Sequence, residues 1–232
     1  MKITVVGATG LIGTRVVEKL TSEGHDVVSS SRGTGLDVLT GAGLAEALAG
    51  ADALVDVTNS PSFEADAVMQ FFTTSATNIA HAAKKAGVRH YVALSIVGVD
   101  GLPDSGYFRA KVAQEKVITQ SGIPYSIVRA TQFVEFAEAI TDSLTIADEV
   151  RVPDALIQPI PADEVASAVA HAAAAEPLNS IRNIGGPTTI SFEQMARDAL
   201  ARKGDRTKTV LVDPEARYFG AALQARSLVT PD

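Results

Sequence analysis

Short apolar runs that stop at glycine or at polar clusters alternate along this chain with longer segments of helical period. Ile3 to Val6 is the first run; Gly7 ends it, and it reads as a strand buried on both faces. Residues 14–24 carry Val16, Val17 and Leu20 at helical spacing and close on Gly24, which predicts a helix. DVVSSSR (26–32) reads as a strand, LAEALAGAD (44–52) as a helical segment and ALVDVTN (53–59) as a third or fourth strand. FFTTSATNIAHAAKKAG (71–87) is a long helix with an alanine-rich face, RHYVALSIVGV (89–99) a buried strand, YFRAKVAQEKVITQSG (107–122) a helix and PYSIVRA (124–130) a strand. This alternation predicts an α/β fold, a doubly wound parallel sheet with helices on both faces.

The rhythm changes after Arg129. TQFVEFAEAITDSL (131–144) looks helical, EVRVPDALIQPIP (149–161) irregular and proline-marked, ADEVASAVAHAAAA (162–175) helical, and SIRNIGGP (180–187) a short strand. Ser191 and Gln194 stand in capping-box spacing and open a helix over 191–204; 208–223 reads as a strand followed by a helix. No internal repeat or long linker appears. The expected organisation is one domain over 1–232, with a core over 1–130 and a small C-terminal substrate cap drawn mostly from 131–160 and 186–232.

Composition narrows the function classes. The chain has 20 basic and 27 acidic side chains, a net charge of −7, and no basic cluster, which argues against nucleic-acid binding. There is no cysteine, so disulfides, thiolate nucleophiles and cysteine-ligated zinc are excluded. The opening MKITVVGATG lacks the apolar stretch of a signal peptide, and no run approaches the ~20 residues of a membrane helix. A cytoplasmic protein without a membrane partner is expected. His25, His81, His90 and His171 have no ligand-like spacing, so no metal is expected. Glu135, Glu138 and Asp142 read as a solvated acidic face.

Gly7, Gly10 and Gly13 lie between the first strand and the first helix, in GATGLIG. Glycines there permit a tight turn, close approach to a pyrophosphate, and close helix–strand packing; the anion then rests on the helix N-terminus. The second strand ends in Ser29–Arg32, without the carboxylate that would hold an unphosphorylated ribose. Arg32 can pair with a 2′-phosphate and Ser31 can add a hydroxyl, which favours NADP(H) over NAD(H). Asp37 could meet the adenine amino group. Tyr107 and Lys111 are four apart and share a helix face. An ammonium beside the phenol would lower its pKa and make Tyr107 a proton donor at a carbonyl, with Ser95 at a strand end as hydroxyl partner. The other reading is that Tyr107 packs, Lys111 is a solvated charge and Ser95 only closes the strand. Phe133, Phe136, Tyr218 and Phe219 either wall an apolar pocket or pack in the core.

Together GATGLIG, SSSR, YVALSIVGVDG and YFRAKVAQEKVITQSGIPYSIVRATQF resemble the NmrA-like atypical short-chain dehydrogenase/reductases, from residue 1 to about 135. The resemblance implies a Rossmann fold that binds NAD(P)H. It implies that Gly7, Thr9, Gly10, Leu11 and Ile12 line the diphosphate, and that Ser31 and Arg32 take the 2′-phosphate. Asp37 and Val38 would touch adenine, Thr58 and Asn59 would lie along the ribose, and Lys111 would hold the nicotinamide ribose. Ala130, Thr131, Gln132 and Phe133 would border the nicotinamide. Arg129-Ala130 stands where many relatives have Arg-Pro. The family contains reductases of quinones and dyes as well as redox-sensing regulators. Three functions follow: an NADPH-dependent oxidoreductase of a small carbonyl or quinone-like molecule, a non-catalytic NADP(H) sensor, and, less suited to so short a cap, a nucleotide-sugar epimerase or dehydratase. A monomer or homodimer is expected.

Overall fold

The structure, a computed structural model, describes residues 1–231. The first half runs β1 (Lys2–Val6), α1 (Leu11–Ser22), β2 (Asp26–Ser30), α2 (Leu44–Leu48), β3 (Ala53–Asp56), α3 (Ala65–Ala86), β4 (His90–Ile96), α4 (Gly106–Gln120) and β5 (Tyr125–Ala130). The second half adds α5 (Ala137–Ser143), β6 (Thr145–Ile146), β7 (Glu149–Val152), β8 (Leu156–Ile157), α6 (Ala162–Ala174), β9 (Ser180–Ile184), β10 (Ile190–Ser191), α7 (Phe192–Lys203) and β11 (Thr209–Val212).

The central sheet is six-stranded, in the order β2-β1-β3-β4-β5-β9, and every pairing in it is parallel. It is an α/β, doubly wound Rossmann-type sheet. Strands buried on both faces need apolar side chains throughout, and Ile3, Val5, Val6, Leu54, Val55 and Val92 are fully covered. One face packs on α1 and α6, whose alanines and valines give a close fit; the other carries α2, α3 and α4. Val6, Ser30 and Asp56 finish in register, so the carboxyl ends of β1, β2 and β3 open on one edge. The order reverses at β1, between β2 and β3, and doubly wound sheets bind ligands at such a point.

Helix α3 starts at Ala65, six residues before its apolar face becomes obvious in the sequence, and ends as expected on left-handed Gly87, φ 73°. Its first residue touches that of α4. A Cβ on Gly106 would stand 2.6 Å from the Ala65 Cβ and 2.9 Å from its Cα, so only glycine fits there. Ser105 caps α4 by accepting from the Phe108 N–H at 3.2 Å.

A third apolar cluster holds α5, α7, β7 and β11 together, centred on Val150, Val152, Phe192, Met195 and Tyr218. Two expectations are corrected here. The segment 149–161 is not irregular: β7 pairs with β11 and β6, and β8 pairs with β10, the prolines falling between strands. Nor does a helix follow β11. The Asp213 carboxylate accepts from the Glu215 N–H at 2.9 Å, and Phe219 and Gly220 both take left-handed φ, 48° and 82°, which breaks the helical pattern. Outside the segments expected to form the cap, β9 joins the central sheet beside β5 and α6 packs on α1.

Candidate functional site

A cleft of about 1090 Å³ lies beyond the carboxyl ends of the strands. Its floor is the loop from β1 into α1. The N–H groups of Gly7 and Ala8 both donate to the Ser30 carbonyl, at 3.0 and 3.1 Å, which folds the loop back over β2. Gly7 is left-handed at φ 89°, and a Cβ on it would meet the Val57 carbonyl oxygen at 2.9 Å. A Cβ on Gly13 would lie 2.1 Å from the Gly7 carbonyl oxygen. Gly10 differs. It has an ordinary φ of −78°, and an added Cβ would meet only the Gly7 oxygen, at 3.4 Å. The protein's own packing therefore demands glycine at 7 and 13 but not at 10, where the bare backbone faces the cleft. Gly10 is the N-cap of α1, with no side-chain cap and no acid in the first turn, so the helix presents free N–H groups and a positive end to the cleft. Gly7, Thr9, Gly10, Leu11 and Ile12 all line it.

Ser31, Arg32 and Val38 line the far end. Ser31 Oγ is buried without a hydrogen-bond partner, and no described carboxylate lies within 4.0 Å of the exposed Arg32 guanidinium. Asp37 is not brought to the cleft. Its Oδ1 accepts from the Leu39 N–H at 2.8 Å and the Thr40 N–H at 3.4 Å, and these bonds hold its carboxyl below the usual range. A local turn therefore employs the carboxylate expected at adenine.

Thr58 and Asn59 line the near wall. Behind them sits Asp56, 1% exposed, which sequence reading passed over. Its carboxylate accepts from the Thr58 hydroxyl (2.7 Å), the Thr58 N–H (3.1 Å), the Tyr91 hydroxyl (3.0 Å) and the Gln114 amide (3.0 Å). The signal was present: a single carboxylate within the apolar run ALVDV, at a strand end.

Tyr107, Lys111 and Ser95 are all brought to the cleft. Lys111 Nζ donates to the Leu94 carbonyl at 2.9 Å and to Gln114 Oε1, and lies 4.5 Å from the Phe72 ring centre. Burial pulls it down to about 8, against the charges of Asp56 and Glu115. The Tyr107 hydroxyl donates to Asn59 Oδ1 at 2.9 Å. Burial pushes it up to about 12, with the Asn59 bond opposing, so the expected lowering by Lys111 is overturned and the phenol stays protonated at ordinary pH. Ser95 Oγ and Gln132 Oε1 are buried and unpartnered, as Ser31 Oγ is. Buried polar atoms in folded proteins are nearly always satisfied, so three orphans along one cleft fit a polar ligand. Ala130, Thr131 and Phe133 complete that end; the Thr131 hydroxyl donates to the Gln158 carbonyl at 2.5 Å, which fixes the strand exit.

Arg129, next to Ala130, is committed elsewhere. It grips Glu115 through two bonds, 2.9 and 2.7 Å, and Asp100 through one of 3.1 Å. Phe133 and Phe136 stack at 5.3 Å on one wall, and Tyr218 and Phe219 reach the mouth from the C-terminal segment. Phe63, also at the mouth, was not singled out from sequence because it stands in a polar, unpatterned loop. Among the described residues no cluster of three His, Cys, Asp or Glu side chains is arranged to hold a metal, and no helix is long and apolar enough to cross a membrane.

The chain is 35% identical over 146 residues to the (4-alkanoyl-5-oxo-2,5-dihydrofuran-3-yl)methyl phosphate reductase of Streptomyces griseus subsp. griseus, covering 57% of this chain and 48% of the relative. It is 25% identical over 149 residues to the photosystem II assembly factor Ycf39 of Synechocystis, covering 58% and 46%. The chain thus spans about half the length of the curated relatives it matches. Its fold is like that of an NADPH-dependent quinone oxidoreductase of Escherichia coli solved with NADPH: the TM-score is 0.70 at 22% identity, over 91% of this chain and 77% of that one. Residues 7–176 match a protein family described as NAD(P)H-binding, and the chain belongs to that family.

Proposed function

We propose that this chain is an NADPH-dependent oxidoreductase that reduces a small organic carbonyl or quinone-like molecule by hydride transfer. The observation that carries the reading is Gly10, a glycine that the fold does not need and that a close-lying diphosphate would. Gly7, Thr9, Gly10, Leu11 and Ile12 hold that diphosphate on the N-terminus of α1. Arg32 and Ser31 take a 2′-phosphate, the basis for NADPH over NADH. Val38 borders the adenine, Thr58 and Asn59 the ribose, Lys111 the nicotinamide ribose, and Ala130, Thr131, Gln132 and Phe133 the nicotinamide. When bound, the reduced nicotinamide supplies hydride. Ser95 offers its unpartnered hydroxyl to the acceptor oxygen, and Tyr107, protonated up to about 12, donates a proton there once it leaves Asn59. The name of the Streptomyces relative, a reductase, supports this reading.

The second reading is a redox sensor that binds NADP(H) without turnover. The engaged Tyr107 hydroxyl favours it, as does the relative named for photosystem assembly. Loss of nicotinamide absorbance with NADPH and a panel of quinones and aldehydes separates the two. The reductase turns over at least one acceptor. Tyr107→Phe lowers kcat by roughly 100-fold with NADPH affinity unchanged, and Arg32→Ala weakens NADPH about tenfold but not NADH. Tight NADPH binding without turnover on any acceptor selects the sensor; no NADPH binding at all overturns both.

A further inference from the structure

The mouth of the cleft is closed by a ring that arrives from far along the chain. Tyr218 and Ala221 exchange two backbone hydrogen bonds, 2.9 and 3.0 Å, leaving Phe219 and Gly220 as a two-residue turn. Left-handed φ costs glycine nothing, but Phe219, at 48°, is under strain. Strain of this kind persists where the surroundings enforce it, and it concentrates at functional positions. Here it fixes the direction of a ring. Phe219 stacks on Tyr107 with centroids 5.4 Å apart at 23°, and meets Phe63 at 5.4 Å. Phe63 is itself 5.5 Å from Tyr107, so three rings from three distant segments touch one another.

The core does not require this arrangement. Tyr218 already anchors the segment, 5% exposed against Phe108 and Phe192, whereas Phe219 is 40% and Phe63 58% exposed. Both rings keep open surface at the cleft mouth, beside the one hydroxyl placed to donate a proton. We propose that Phe219, aimed by its left-handed turn, is a specificity-determining residue that forms with Phe63 an aromatic clamp for one face of a flat, conjugated ring system. The substrate class is then planar and unsaturated rather than aliphatic. This rests on the oxidoreductase reading for its meaning, but it can be tested without turnover.

The test is calorimetric titration of the NADP⁺-loaded protein with 1,4-naphthoquinone and, separately, with butanal. Wild type binds the naphthoquinone more tightly than butanal. Phe219→Ala weakens naphthoquinone roughly tenfold and leaves butanal and NADP⁺ unchanged. Gly220→Val keeps the ring but strains the turn, and gives the same loss; Gly220→Asn, which tolerates left-handed φ, restores binding. No binding of naphthoquinone by wild type, or equal binding by wild type and Phe219→Ala, overturns the clamp. If NADPH is bound but never oxidised, the oxidoreductase reading fails while these titrations still decide the clamp. If turnover is present and the Phe219→Ala titration matches wild type, only the clamp falls.

Discussion

Gly7, Gly10 and Gly13 share one loop and obey different constraints. Gly13→Ala would drive a methyl into backbone at 2.1 Å, with no flexible side chain to yield. We expect it to cost more than about 4 kcal/mol, read by denaturant unfolding. Gly10→Ala meets nothing closer than 3.4 Å, so its unfolding free energy should stay within about 1 kcal/mol of wild type. NADPH affinity should nevertheless fall at least tenfold; unchanged affinity in Gly10→Ala would remove the main support for the diphosphate site. The triplet was readable in the sequence, but the division of labour within it was not, because that depends on where Val57 and the Gly7 carbonyl stand. Tyr107 and Lys111 make the same point. Their spacing put them on one face, yet Lys111 chose its helix neighbour Gln114 and the Leu94 carbonyl, and Tyr107 chose Asn59; Leu94 and Asn59 are partners that only the folded chain supplies.

Among the elements, α4 is tied to the sheet by a buried ion pair. Glu115 on the helix and Arg129 on β5 are 6% and 8% exposed and meet in the bidentate geometry that suits guanidinium and carboxylate. Deleting Glu115 leaves the buried Arg129 only its single bond to the exposed Asp100. Glu115→Ala should therefore lose about 3–5 kcal/mol of unfolding free energy, and the double change Glu115→Leu with Arg129→Met should recover most of it. A double variant as unstable as the single one would mean that the pair itself, not the stranded charge, sets the loss. Strand and helix assignments up to Ala130 were readable because doubly covered strands are plainly apolar and helices end on glycine. The C-terminal part was harder. Its strands outside the central sheet are two to four residues long, and the stretch after β11 mimics a helical period while Asp213 and the Phe219-Gly220 pair turn the backbone.

For the whole molecule, one buried cation makes stability depend on pH. Lys111 titrates near 8 in the folded chain and at 10.5 in the unfolded one. Between those values the unfolded chain holds the extra proton, so stability rises with pH. The buried tyrosines, whose hydroxyls are pushed upward, act in the opposite sense only near pH 10, where the unfolded phenols begin to ionise while the folded ones keep their protons. From pH 8 to 10 the gain from Lys111 should be on the order of 2 kcal/mol, and Lys111→Met should abolish it relative to wild type. Parallel pH curves for the two proteins would show that the lysine is better solvated than its burial implies. The contact between Gly106 and Ala65 acts at the same scale. One residue before Tyr107 and two after Phe63, it brings together the backbones that carry those two touching rings. Neither Gly106 nor Ala65 lines the cavity, so a larger residue at 106 should disturb the rings at the entrance from a place that a visiting molecule never meets.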